Sequence, residues 1–205
     1  MTTMKQPFSL AFLFLSFYSF GQTLSVNVSI ASPAVAAGND TVYYNPDHKL
    51  SWNNFAGPYE ISGNVAALTA SGFGFKANMQ SSNGRGRINI STFCFFSRSG
   101  SWVKPNKKTD YILGHEQHHF DISYIGMRVF IDRLQRAHFT LQNYATLLNK
   151  IYEESYRYMS ELQQQYDGET KNGQLAGKQV EWDNSIDYRL ALLPDRKGQL
   201  DTVKE

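Results

Sequence analysis

Cysteine is nearly absent: Cys94 is alone among 205 residues, which excludes an internal disulfide and leaves one thiol to be buried as a small apolar side chain. An excess of one charge is lacking too. The 20 basic and 18 acidic residues give a formal +2, with no long run of either sign, so charge makes no case for nucleic acid or a membrane surface as partner. No internal repeat and no low-complexity segment is present, and no second apolar stretch of about twenty residues follows the N-terminal one. What remains, 41% hydrophobic and 19% charged, suits one domain with a sizeable core.

The N-terminus carries one positive charge at Lys5, an apolar run from Phe8 to Phe20, and then Gly21-Gln22. That order predicts a signal peptide over 1–21, cleaved near Gly21, and a single domain over 22–205 that is secreted or periplasmic. The run is short for a membrane span. No cysteine sits at the cleavage point to carry a lipid anchor, so no membrane attachment is expected after cleavage.

Residues 23–30 alternate polar and apolar, the period of a half-buried strand, and 41–44 form a second short strand candidate. Residues 65–79 and 87–103 are rich in β-branched and aromatic side chains around a turn at 81–86, which predicts a β-hairpin. Its second arm, 88–96, leads towards the helical half and offers an edge along which a peptide could lie. Thr109 or Asp110 caps a helix running to about Ala137, in which Gly126 is tolerated rather than helpful. A helix over about 141–166 follows, antiparallel to the first because the connection is short. A turn over 166–173, a third helix over about 175–192 and a polar tail from Pro194 complete the chain. Strands first and helices second predict an α+β fold: an N-terminal antiparallel β-sheet, then a helical half.

The first long helix contains His115-Glu116-Gln117-His118-His119. One helical turn separates His115 from His119, so both imidazoles can grip one metal ion, with Glu116 beside them as general base. This is the HExxH arrangement of a zincin-like active-site helix. At about 100° per residue, Gly126, Ile122 and Phe130 share the histidines' side, while Gln117, Asp121, Arg128 and Asp132 form a stripe facing solvent. On this projection Asp121 is a solvated carboxylate and His118 a half-exposed flank residue. His48 and His138 lack partners at a recognisable spacing, and Trp52, Trp102 and Trp182 read as packing residues. A catalytic Zn2+ needs a third protein ligand. Helix pairing about a turn near 139–140 places Glu161 at the right height, with Asp167 slightly beyond and Glu153 and Glu154 too far away.

The stretches 50–57, Ala66-Ala67, 115–122, 166–170, Gln179 and Trp182 together resemble the domain of unknown function 922 family, described as predicted secreted zinc-dependent proteases. The resemblance spans nearly the whole mature chain. It implies a zinc metallopeptidase acting on a peptide or protein substrate, with His115, His119 and Asp167 on the metal and Glu116 as the catalytic base. One departure stands out: Asn172 occupies the place where the family pattern has a histidine before a glycine. If that histidine is a ligand, the chain would be a non-catalytic protein of the same fold. If Asp167 is the ligand, the site is intact. A zinc amidase cutting cell-wall peptides would share the same residues.

Overall fold

The computed structural model describes residues 23–31 and 39–193 and the backbone at 201–202. The expected signal peptide over 1–21 lies outside the described residues, as does the first part of the tail from Pro194. The fold is α+β. Strands β1 (Thr23–Ile30), β2 (Thr41–Tyr43), β3 (Ala67–Leu68), β4 (Ser71–Ser82), β5 (Arg85–Ser97) and β6 (Trp102–Val103) precede helices α1 (Asp110–Arg136), α2 (Tyr144–Thr170) and α3 (Ala176–Ala191). A two-residue strand β7 (Asp201–Thr202) then returns to pair with β1.

The hairpin is β4 against β5, in register from Ser71↔Phe96 to Ser82↔Arg85. Its loop is Asn83-Gly84, both at positive φ (52° and 76°), the primed turn that matches strand twist and favours Asn-Gly. Along β5 the alternation holds throughout: Ile88, Ile90, Thr92, Cys94 and Phe96 are buried on one face. Each large apolar side chain so buried contributes about 1.5–3 kcal/mol.

The sheet is mixed rather than antiparallel. β1 runs parallel to β5, from Thr23↔Arg85 to Ile30↔Thr92, while β2 pairs antiparallel with the far end of the same strand. Alternation shows which residues face inward but not the direction of the partner strand. The long connection from β1 through β2, β3 and β4 is enough for a parallel crossover. β5 therefore lies between β4 and the β1/β2 row and has no free edge to offer a peptide. β3, paired with β6 in a separate two-stranded ladder, lines the cleft described below.

α1 is the central helix. It packs on the sheet through Ile122 and Phe130, and Phe130 meets Phe73 of β4 at a ring separation of 5.8 Å. α2 runs antiparallel to α1, and the contacts Arg133–Ser155, Gly126–Met159, His119–Gln163 and His115–Asp167 descend in step. Gly126 is required rather than merely tolerated. A Cβ there would lie 2.7 Å from Met159 Cβ and 3.2 Å from the Phe73 ring, so the close approach of the two helices depends on a missing side chain.

Two sequence expectations about the helices are corrected. Asp121 and Gln117 are buried, not solvated. The segment before the Trp52–Asn54 turn covers this side of α1, with Tyr44 Oη donating to Asp121 Oδ1 (2.8 Å) and Leu50 N–H to Gln117 Oε1 (2.8 Å). A helix covered on several sides has no wide solvent stripe. The expected turn at 166–173 is helical as far as Thr170. Tyr166 and Thr170 are fully buried and joined by Thr170 Oγ1 donating to Tyr166 O (2.7 Å), whereas Gly168 faces outward and costs the helix little packing. The chain turns only at Lys171, Asn172 and Gly173, all at positive φ (49°, 53° and 77°).

Candidate metal centre

The site begins at the N-terminus of α1. Thr109 caps the helix through its side chain, which accepts Ile112 N–H (3.2 Å), and Asp110 occupies the first turn, where a negative charge is favoured. Hydrogen bonding through the buried segment fixes the phase, so His115 and His119 project to one side, their Nε2 atoms 3.3 Å apart. Because α2 continues past Tyr166, Asp167 stands opposite. Its Oδ1 lies 3.2 Å from His115 Nε2 and 3.0 Å from His119 Nε2. The donor atoms of these three residues all fall within 4.8 Å of one another.

Two imidazole nitrogens and a carboxylate oxygen form a donor set that suits zinc and leaves a position for water. Glu116 adds a second observation. It is buried, and its Oε2 has no hydrogen-bond partner among the described residues. An unpaired buried carboxylate oxygen costs free energy. Here it lies in the wall of a cleft of about 400 Å³ that also contains His115, His119 and Asp167. The residues present therefore fit a zinc ion, with Glu116 beside it able to bond a water.

The packing around His115 is close. Its ring stacks on Tyr166 with centroids 4.6 Å apart and planes 22° apart. On another side a Cβ at Gly173 would come within 3.3 Å of Nδ1, so only glycine fits there without displacing the ring. Tyr111 Oη donates to Gly173 O (2.6 Å) and ties this loop to the first turn of α1.

The other sequence candidates fall elsewhere. Glu161, favoured by helix arithmetic, is exposed on α2 and stands outside the three-residue group. The arithmetic centred the connection near 139–140, whereas the observed facing pairs are His119–Gln163 and His115–Asp167, which lie about one turn further along α2. Asn172 lines the cleft. His118 is largely buried between two carboxylates, Nδ1 at 3.1 Å from Asp121 and Nε2 at 3.2 Å from Asp183. His48 and His138 are exposed; Trp102 and Trp182 are buried, and Trp52 is half-buried. Sequence reasoning missed Gln163, one turn before Asp167 on the same helix face, and recognised Gln179 only within the family pattern. Both bond to the histidines.

Burial pushes the His119 imidazole down, but its hydrogen bond to Asp167 and the charges of Glu116 and Asp167 outweigh this and hold it above its ordinary value. Asp167 is the converse: burial raises it, and the two histidines bring it well below the usual carboxylate range. In the metal-free protein, the His119 contribution to stability is fully present below the unfolded histidine value of about 6.5. It is lost as pH rises through the raised folded value. Asp167 stays ionised throughout this window. Zinc requires neutral imidazole, so metal binding must follow the opposite trend. The melting temperature in chelator is expected to fall as pH rises above about 6.5, while the increment on adding zinc grows. Calorimetry with and without zinc checks both slopes.

No family model, no curated protein and no solved structure matches this chain.

Proposed function

We propose that the protein is a secreted zinc-dependent metallopeptidase, as its resemblance to the domain of unknown function 922 family implies. The observation that carries this reading is the unpartnered, buried Oε2 of Glu116 in the same cleft wall as the convergent Nε2, Nε2 and Oδ1 atoms of His115, His119 and Asp167. His115, His119 and Asp167 would hold the ion, which supplies Lewis acidity towards water and the scissile carbonyl. Glu116 takes the proton from the attacking water and passes it to the leaving amine. Asp167 offsets part of the cationic charge. The Ala67–Leu68 strand, whose ladder partner β6 lies on one side, lines the cleft with its neighbours Val65 and Thr69 and gives an extended peptide something to lie along. The non-catalytic alternative rests on Asn172, which lines the cleft where the family pattern has a histidine.

The purified chain is expected to bind about one zinc per molecule and to cleave an unfolded protein substrate, with cleavage lost in chelator and restored by zinc. A peptidoglycan-derived peptide assayed in parallel separates peptidase from cell-wall amidase. Wild type that binds no zinc, or that binds zinc and cleaves neither substrate, would sink the proposal.

A further inference from the structure

α1 covers one face of the main sheet; the other face is built differently. Along β5 the buried residues alternate with Arg85, Arg87, Asn89 and Ser91, which are exposed or half-buried, and the register sets these beside outward residues of β4 and β1. One row reads Asn27, Asn89 and Asn78 across the three strands, with Asn27 Nδ2 donating to Asn89 Oδ1 (2.9 Å). The outward rows on either side of it hold serine and glutamine together with the cations Arg87 and Lys76. Arg85 ends the field at the hairpin turn, opposite Ser82.

Past Ser91 the same face turns aromatic. Phe93 and Phe95 lie over glycines of the neighbouring strand: a Cβ at Gly74 would stand 3.0 Å from the Phe93 ring, and one at Gly72 3.4 Å from the Phe95 ring. The two rings are half-buried with centroids 6.2 Å apart, and Tyr43 of β2 meets Phe93 edge-on at 6.1 Å. Spread across bare backbone, they form an apolar shelf continuous with the polar rows. A solvated outer face is ordinary for a sheet packed on one side, but three features go beyond that. Its asparagines and glycines are poor strand formers, so the composition is held against local preference. Its charges are of one sign: no acidic side chain stands in these rows, and Lys76, Arg85 and Arg87 form no ion pair among the described residues. A depression of about 500 Å³ is walled by Arg85, Arg87, Gln80 and Ser25.

We propose that this outer face binds an acidic polysaccharide. Its amides and hydroxyls bond sugar hydroxyls, Arg85, Arg87 and Lys76 pair with sugar carboxylates, and the ring shelf packs on the C–H faces of the sugars. A nucleic acid is also anionic, but duplex DNA carries one charge about every 1.7 Å and calls for a denser set of cations than three among many neutral side chains. A sugar acid offers a carboxylate among several hydroxyls, which matches that mixture. Because α1 packs on the inner face, this surface is on the other side of the sheet from the helix that carries the two histidines, and the proposal does not rest on the metal-site reading.

The test is biolayer interferometry of the full chain, in chelator, on immobilised polyuronates (alginate, polygalacturonate and hyaluronate), neutral dextran and single-stranded DNA. At least one polyuronate is expected to bind about tenfold or more tightly than dextran or DNA, and to weaken as salt screens the carboxylates. The double substitution Arg85→Ala, Arg87→Ala should weaken that binding by about tenfold or more, and Phe93→Ala by about 2–10-fold. Arg136→Ala, which removes an exposed cation of α1, should leave it unchanged. If Phe93→Ala does not fold, the comparison of the double variant with Arg136→Ala decides. Polyuronate binding that is absent, that survives the double substitution, or that falls equally in Arg136→Ala overturns the proposal, as does binding to dextran or DNA that is as tight. A face covered instead by a second copy, or by the chain's own remaining segments, gives the first of these results.

Discussion

Glu116→Gln is expected to retain one zinc per chain and to lower kcat/KM on an unfolded protein by about 10²–10⁴-fold, the usual contribution of a positioned general base. The substitution keeps shape and volume, touches none of the three convergent donors, and removes only the ability to take a proton. The loss should fall on kcat rather than KM, because Glu116 acts on the water and not on the resting substrate. The amide still leaves a buried polar atom without a partner, and loss of the charge removes one of the groups that hold His119 above its ordinary value, so the metal-free variant should lose part of the stability that His119 contributes at low pH. Steady-state kinetics, zinc analysis and thermal melts in chelator on the same samples check all three points. Loss of zinc together with activity would instead place Glu116 among the structural supports.

Asp167→Ala should weaken zinc binding by more than the roughly 100-fold that marks the upper end for residues supporting a ligand, whereas Glu161→Ala should leave it unchanged. The contrast follows from position. Asp167 Oδ1 lies 3.2 Å and 3.0 Å from the two Nε2 atoms, while Glu161 is exposed and outside the group. Chelator competition on both variants decides. Equal affinities in Asp167→Ala and wild type would remove Asp167 from the site and return the question to the loop beyond it. Asp167→Ala should also lower His119 towards its ordinary value, since the carboxylate is among the groups that raise it. The pH dependence of metal-free stability should flatten accordingly.

Much of the frame was legible in the sequence because it depends on local chemistry. Asn83-Gly84 between alternating strands can make little else but a tight hairpin, and Thr109-Asp110 before an uninterrupted helical pattern marks where α1 begins. The parallel partnership of β1 and β5 was not legible, because Val26 and Val28 face inward whichever way the partner strand runs. The polar composition of 166–173 misled in the other direction: it hid the last turn of α2, which Tyr166 and Thr170 on the buried side hold in place, while the height of Asp167 was missed because the connection was centred near 139–140. Gln117 and Asp121 fell on a polar stripe and were assigned to solvent. A periodic pattern cannot distinguish water from a polar segment of the same chain folded over the helix. Glycine at 126 gave no hint of its role, because the role belongs to Met159 and Phe73 across the interface.

The derivation of Gln179 from α3 has one more consequence. The HExxH pentapeptide is complete once α1 forms, yet Asp167 is added only when α2 docks, and the brace behind His115 only when the C-terminal helix closes over Tyr166. All three helices must therefore be in place before the three donors and the Gln179 contact coexist. On the proposed peptidase reading, a chain without α3 in place carries the motif but lacks the contact behind His115.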